Sequence, residues 1–301
     1  MATAVICEFN PFHNGHKYLL ESAKNVLKEP VIAIMSGSFT QRGEVAVCDK
    51  FVRAKSALEN GADLVLELPV VFSLSGAEGF AKAGVAIASA FDCTNHLAFG
   101  SESGDCELLK KSANAVCDER VQALVRDGMK NGGYYPRELE NAVKTVFGDE
   151  ISSVLCEPNN ILGVEYIKAL NGTGVEPFSV ARTGVAHDSQ IAGEGFASAS
   201  HIREMLRNGE NAKKYAPYIP DEITIPENLD RPLLYRLRTM TREDIAKLPD
   251  VGEGLENRIA DAAVRCSTSS EIADLVKTKR YTHARIRRIL ACALLGSRQT
   301  R

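Results

Sequence analysis

No apolar run in this 301-residue chain approaches the roughly 18 uninterrupted residues a membrane-spanning helix requires, so no transmembrane segment is expected. The first strand pattern begins almost at Met1, with no basic stretch before it, which argues against a secretory signal. The eight cysteines (Cys7, Cys48, Cys93, Cys106, Cys117, Cys156, Cys266 and Cys292) include no C-x-x-C pair, and several sit in apolar patterns where a thiol behaves as a small hydrophobe. Neither a disulfide framework nor a zinc site is expected, and the compartment these absences point to is the cytoplasm. Internal repeats and low-complexity tracts are also missing. What remains is an ordinary globular composition, 45% hydrophobic and 25% charged, long enough for two domains.

The formal net charge of −3 hides an asymmetry. From Arg231 to Arg301 there are 15 Lys and Arg against 8 Asp and Glu, a net of +7; the first 230 residues carry 21 against 31, a net of −10. A basic C-terminal module on an acidic body suits a polyanionic partner, although a solvated basic helical surface has the same composition.

The first hundred residues alternate strand and helix patterns. Strands are expected at Thr3–Phe9, Pro30–Met35, Asp63–Leu68 (short and buried) and His96–Phe99; helices are expected at Gly15–Lys28, Asp49–Asn60 with Asp49 as N-cap, and Ser75–Ala90. Such alternation implies parallel βαβ units in a doubly wound α/β sheet, with ligands at the carboxyl ends of the strands. Three segments end on that edge: Asn10–His16, Ser36–Gly43 and Gly100–Glu102. Helices follow over Asp105–Gly148, interrupted by a Gly132–Pro136 turn, and at Asn159–Asn171; then come a strand at Glu176–Arg182, a polar loop at His187–Gly195 and a helix at Ser198–Asn208. Residues 1–216 form the expected nucleotide-binding domain. The four prolines within 217–232 mark a linker, and 233–301 reads as a smaller all-helical, basic domain.

Two common nucleotide signatures are absent: there is no G-x-x-x-x-G-K-[ST], and no G-x-G-x-x-G follows a strand. Present instead is His13-Asn14-Gly15-His16, between the first strand and the first helix. A helix start offers free backbone N–H groups and a partial positive charge to a phosphate. Gly15 allows close backbone approach, and the two imidazoles can donate to phosphate oxygens as charge builds on a leaving pyrophosphate. The plain alternative is a pair of surface histidines at a helix cap. A second constellation, Ser198-Ala199-Ser200-His201-Ile202-Arg203, places two hydroxyls and a guanidinium fork at another helix start, where they can hold phosphate from the other side. By itself it is also what a simple N-cap looks like.

Together these two motifs resemble the HIGH-type nucleotidyltransferase superfamily with its ISSTxIR-like partner motif. The surrounding residues, Glu8–His16, Met35–Glu44, Asp49–Ala54, Pro158–Gly163 and Arg280–Leu290, resemble those of the tRNA(Met) cytidine acetate ligase family over nearly the whole chain. That resemblance implies an ATP-dependent ligase that activates acetate as acetyl-adenylate and transfers the acetyl group to N4 of the wobble cytidine of elongator tRNA(Met). It implies ATP contacts from Ile6, Cys7, Glu8, Phe9, Asn10, Pro11, Phe12, His13, Asn14, Gly15, His16, Lys17, Tyr18 and Leu19, from Gly100, from Asn159 or Asn160, and from Arg182. Catalysis falls to His13, His16, Ser200 and Arg203, with Ser198 also on the nucleotide. Mg²⁺ is expected on the phosphates, held mainly by the nucleotide itself, since no carboxylate cage for a metal is visible. Two rivals stay open: an adenylyltransferase acting on a small phosphorylated substrate, and a catalytically idle nucleotide-binding RNA adaptor.

Further expectations concern individual side chains. Ser36–Glu44 reads as a mobile lid over the reaction centre or a plain loop. Asp49, Lys50, Arg53 and Lys55 line an RNA entrance or form a solvated helix face. His187 and Asp188 could touch substrate, and His96 reads as a packed residue. Leu248–Leu255 is taken as a connection between helices, and the cluster Lys277, Lys279, Arg280, Arg285, Arg287 and Arg288 as a set of RNA-phosphate contacts. The chain departs from the family at Ser38, where Asn is usual. Family members also continue past the Arg285–Leu295 helix, so part of the RNA-binding surface is expected to lie outside this sequence.

Overall fold

Five parallel strands supply the frame: β1 (Ala2–Cys7), β2 (Val31–Ser36), β3 (Leu64–Leu68), β4 (Thr94–Ser101) and β5 (Glu176–Ala181). A computed structural model of the protein describes residues 1–182, 195–220, 222–278 and 280–298. The strand order is β3-β2-β1-β4-β5. The chain therefore winds outward from β1 to β3, returns to place β4 on the other side of β1, and continues to β5. A crevice opens where that order reverses, at the carboxyl ends of β1 and β4.

Period-two alternation fills both faces of the sheet. Val5 and Ala33 pack with Leu20 of α1 (Asn14–Leu27) and Ala57 of α2 (Lys50–Leu58). Ala4, Ile6, Ile32 and Ile34 face the other way. They meet Phe80 and Val85 of α4 (Ala77–Ser89), which follows the short α3 (Val70–Ser73). That second core extends through α5 (Cys106–Cys117), α6 (Glu119–Lys130), α7 (Tyr135–Phe147), α8 (Asp149–Ser153) and α9 (Pro158–Leu170). The stretch expected as a buried strand at Asp63–Leu68 is instead an edge: β3 pairs only with β2, and Leu64 is 40% exposed.

After β5 come α10 (Ala199–Arg207) and then α11 (Asp230–Thr239), α12 (Arg242–Ala246), α13 (Leu255–Arg265), α14 (Ser269–Val276) and α15 (His283–Leu295). The last five bury their own cluster, with Leu237, Ile245, Leu255, Ile259, Ile286 and Ile289 at its centre. Residues 217–232, the expected linker, make several contacts of their own. Tyr218 lies edge-on to Phe12, and Thr224 N–H donates to the Val47 carbonyl at 2.7 Å. Pro232 already sits in the first turn of α11, where a missing N–H leaves no helical bond unmade. The His187–Asp188 expectation lies outside the described residues. Among the described residues, no helix is long and apolar enough to cross a membrane.

Candidate active site

β1 ends at Cys7, and its continuation cannot remain extended. Phe9 takes the left-handed backbone region (φ 47°), unusual for an aromatic residue and of order 1–3 kcal/mol in strain, and the Asn10–Pro11 bond is cis. The turn is pinned from several directions. Asn10 Oδ1 accepts from Val47 N–H at 2.7 Å, while Asn14 Nδ2 donates to the Gly195 and Lys214 carbonyls at 2.8 and 3.1 Å. Arg203 Nη1 donates to the Asn10 carbonyl at 2.9 Å, bringing α10 against the turn.

His13 is the N-cap of α1, and the two histidines cap it reciprocally: Gly15 N–H donates to His13 Nδ1 at 3.0 Å, and His13 N–H donates to His16 Nδ1 at 3.3 Å. The rings stack at 3.7 Å. Because each Nδ1 accepts, the proton of each neutral ring sits on Nε2, and both Nε2–H groups are donors. Burial pushes the His13 pKa down to about 3, reinforced by Arg182 and Arg203. Burial also holds His16 well below the usual histidine range, with His13 and Arg182 adding to it and the Pro11 carbonyl opposing. The pair is neutral at pH 7. That suits hydrogen-bond donation to an anion.

These residues line a cavity of about 410 Å³ at the β1/β4 crevice. Of the residues singled out from sequence, its wall contains Ile6, Cys7, Glu8, Phe9, Asn10, His13, Gly15, His16, Tyr18, Leu19, Gly100, Asn159, Arg182, Ser200 and Arg203. Pro11, Phe12, Asn14, Lys17, Asn160 and Ser198 lie off the wall. Phe12 is buried in the core below the turn, Lys17 faces Glu21, and Asn14 holds the 195–215 segment. Ser198 is the buried N-cap of α10, accepting from His201 N–H at 3.1 Å, with its Oγ 3.0 Å from that of Ser200. Of the two asparagines, Asn159 reaches the cavity. Asn160 stands behind it, its Oδ1 accepting from Ser103 N–H, while the Glu102 carboxylate takes the N–H groups of both.

Charge in the cavity is mixed. Arg182 and Arg203 are largely buried, which pushes both guanidinium pKa values down against the opposing pull of Glu102 and of Glu44 and Glu8 respectively. Arg182 Nε is buried with no partner among the described residues. Glu8 Oε1 accepts from Gln41 N–H at 2.5 Å, and burial raises its carboxyl pKa against that bond and the nearby Arg203 and Arg42 charges. Cys7 lies on the wall, but burial raises its thiol far above the ordinary value, so it is no thiolate nucleophile. Among the described residues no group of three or more His, Cys, Asp and Glu side chains could hold a metal ion.

The 36–44 segment forms one wall, through Thr40, Gln41, Arg42 and Glu44, and it is anchored rather than open. Arg53, only 1% exposed, donates to the carbonyls of Glu8, Ser36, Gly37 and Cys48. The expected RNA-facing role of Arg53 is therefore corrected: it clamps the ends of β1 and β2 from inside. Asp49 caps α2, and Lys50 pairs with Glu67 at 2.6 Å. The basic cluster is largely committed too. Arg287 pairs with Glu44 at 2.6 Å, and Arg288 pairs with Asp250 at 3.1 Å and donates to the Gln41 carbonyl. Arg285 donates to the Asp250 carbonyl, and Arg280 pairs with Glu253. The Leu248–Leu255 stretch is indeed a helix connection, and its acidic residues receive these arginines. His96 is packed at the sheet end, 3.0 Å from Glu29.

Several wall residues were not singled out from sequence as site residues, including Phe80, Phe99, Ile161, Leu162 and Tyr166. One signal was available: 159, 162 and 166 share a helical face, so assigning Asn159 to the site brings Leu162 and Tyr166 with it. Phe80 and Phe99 had no such signal, being indistinguishable in sequence from other core aromatics.

A family model described as HIGH Nucleotidyl Transferase matches residues 1–301. The chain is 39% identical to a tRNA(Met) cytidine acetate ligase of Thermoanaerobacter sp. (strain X514), over 97% of this chain and 77% of that one. To the enzyme of the same name from Clostridium tetani it is 36% identical, over 98% and 79%. Among solved structures it is similar to Thermotoga maritima TmcAL bound with alpha-thio ATP, with a TM-score of 0.89 at 32% identity, covering 99% of this chain and 76% of that one. The chain belongs to the HIGH nucleotidyl transferases, in the family of the tRNA(Met) cytidine acetate ligases.

Proposed function

We propose that this protein joins acetate to ATP, forming acetyl-adenylate and pyrophosphate, and then acetylates N4 of the wobble cytidine of elongator tRNA(Met). In the first step a carboxylate oxygen attacks the α-phosphorus and the bond to the β-phosphate oxygen breaks. In the second, the cytosine amine attacks the acetyl carbonyl, AMP leaves, and N4 loses a proton. The observation that carries the reading is one cavity whose wall combines the neutral His13–His16 pair with Arg182, Arg203 and Ser200, in a chain similar to these ligases over nearly its whole length.

The residues present fit ATP. The cavity is large enough for a small ligand, its histidines offer Nε2–H donors at a helix start, and the Nε of Arg182, which has no partner among the described residues, suits an anion. Ile6, Phe80, Phe99 and Leu162 supply an apolar stretch of wall for the uncharged parts of the reactants. His13 and His16 hold the departing phosphates, and Arg203 neutralises charge from the side of α10. Mg²⁺ would be held mainly by the nucleotide itself and would help neutralise charge on the departing pyrophosphate. The domain organisation consistent with this reading is a nucleotidyltransferase body over 1–216 and a helical, RNA-facing module over 233–301.

ATP–pyrophosphate exchange tests the first step. Exchange should require acetate and fall about 10²–10³-fold in His16→Ala, the effect typical of removing one preorganised donor. N4-acetylcytidine should then appear in unmodified elongator tRNA(Met). Exchange that ignores acetate but responds to a small phosphorylated compound would instead identify an adenylyltransferase. No exchange with any small acid would identify a nucleotide-binding adaptor.

A further inference from the structure

A second concavity, of about 660 Å³, lies between α6, the α6–α7 turn and the start of α7 on one side and the 253 turn and the start of α15 on the other. Three of the chain's eight tyrosines line it, Tyr134, Tyr135 and Tyr281, in a protein that has no tryptophan. Four cations line it as well, Arg126, Lys130, Arg280 and Arg285, against one carboxylate, Glu253. The patch is thus net cationic on a body whose first 230 residues are net acidic.

The two walls differ in how far their groups are committed. On the C-terminal wall Tyr281 donates to Glu253 at 3.0 Å, carries the Arg285 guanidinium 5.0 Å from its ring centre, and shares Glu253 with Arg280. On the α6–α7 wall Arg126 and Lys130 have no ion-pair partner among the described residues, and Tyr135 is 48% exposed.

Uncommitted cations beside open aromatic rings are what a single-stranded nucleic acid needs: charge for the backbone and ring faces on which bases stack. An acidic peptide would use the cations and leave the rings idle. We infer that this cleft binds an unpaired segment of RNA, with bases against Tyr134 and Tyr135 and phosphates against Arg126 and Lys130. The inference rests on the reading of RNA as the acetyl acceptor.

The test is fluorescence anisotropy with a labelled stem–loop carrying the anticodon loop of elongator tRNA(Met). Tyr135→Ala should weaken binding roughly 5- to 140-fold, the range for one lost base stack, while Tyr135→Phe binds like wild type. Replacing both Arg126 and Lys130 by alanine should reduce the slope of log K against log salt by about 1.4, two single-strand phosphate contacts. Acetate-dependent exchange, which uses no RNA, reports separately on the adenylation step. Wild-type affinity and salt slope in all three variants would overturn the cleft and leave the proposed function standing. A wild-type chain that binds no stem–loop would overturn the cleft and the proposed acceptor together. Polyglutamate bound as tightly as the RNA, and equally by Tyr135→Ala, would reduce the cleft to a general anion patch and overturn base recognition.

Discussion

The stacked histidines carry a pH signature. His13 is held to about 3, against 6.5 for the free side chain, so between those values the unfolded chain binds a proton that the folded chain does not. Stability from keeping this ring neutral is therefore complete above the unfolded pKa and is lost as pH falls from 6.5 towards 3, by up to about 1.4 kcal/mol per pH unit. Denaturant unfolding at pH 7 and pH 5 should show that loss, and His13→Asn, which retains a side-chain cap, should reduce it. Arg53 makes a different residue-scale case. Arg53→Ala leaves four backbone carbonyls without their donor and should destabilise by about 3 kcal/mol. Arg53→Lys should recover only part of that, since an ammonium cannot reproduce the fork; the midpoint of a urea transition measures both.

At the scale of elements, the start of α1 was legible because its signals are local: a β-rich run, a turn, and side chains that cap within three residues. The structure adds a second reason for Gly15, which also lines the cavity. Close approach there is to the His13 ring, with a Cβ at 15 falling 2.8 Å from His13 Cε1. Gly15→Ala should displace the ring and lower acetate-dependent exchange at least tenfold, while the melting temperature holds or rises because alanine favours helix by about 1 kcal/mol. The 36–44 segment behaves oppositely. Its glycines and polar side chains read as a mobile lid or a plain loop, but its anchors come from α2 and α15, which no local pattern announces. Gly43 has φ +77°, and a Cβ there would run into the backbone of Arg287 and Arg288. Gly43→Ala should cost about 1–3 kcal/mol and slow exchange by loosening that wall, measured by thermal unfolding and by rate.

Across the whole molecule, the helical module is joined to the sheet body through charge as well as apolar contact. Glu44 meets Arg287 at 2.6 Å and Arg203 at 3.6 Å, linking the module, the cavity wall and α10 through one carboxylate. A double-mutant cycle on Glu44 and Arg287 should give a coupling of about 0.5–1 kcal/mol, modest because Arg287 is partly solvated. The sequence alone determined the strand–helix alternation, the parallel sheet, the helix caps at Asp49 and Ser198, and a likeness to one enzyme family, because each rests on periodicity or on hydrogen bonds spanning a few residues. Only the tertiary structure decided that Asn159 rather than Asn160 reaches the cavity, that Arg53 is a buried clamp, and which basic residues remain uncommitted. The physical reason is that a side chain's availability depends on partners distant in sequence. Arg287 is spent on Glu44, 243 positions away, while Arg126 and Lys130 have no ionic partner among the described residues.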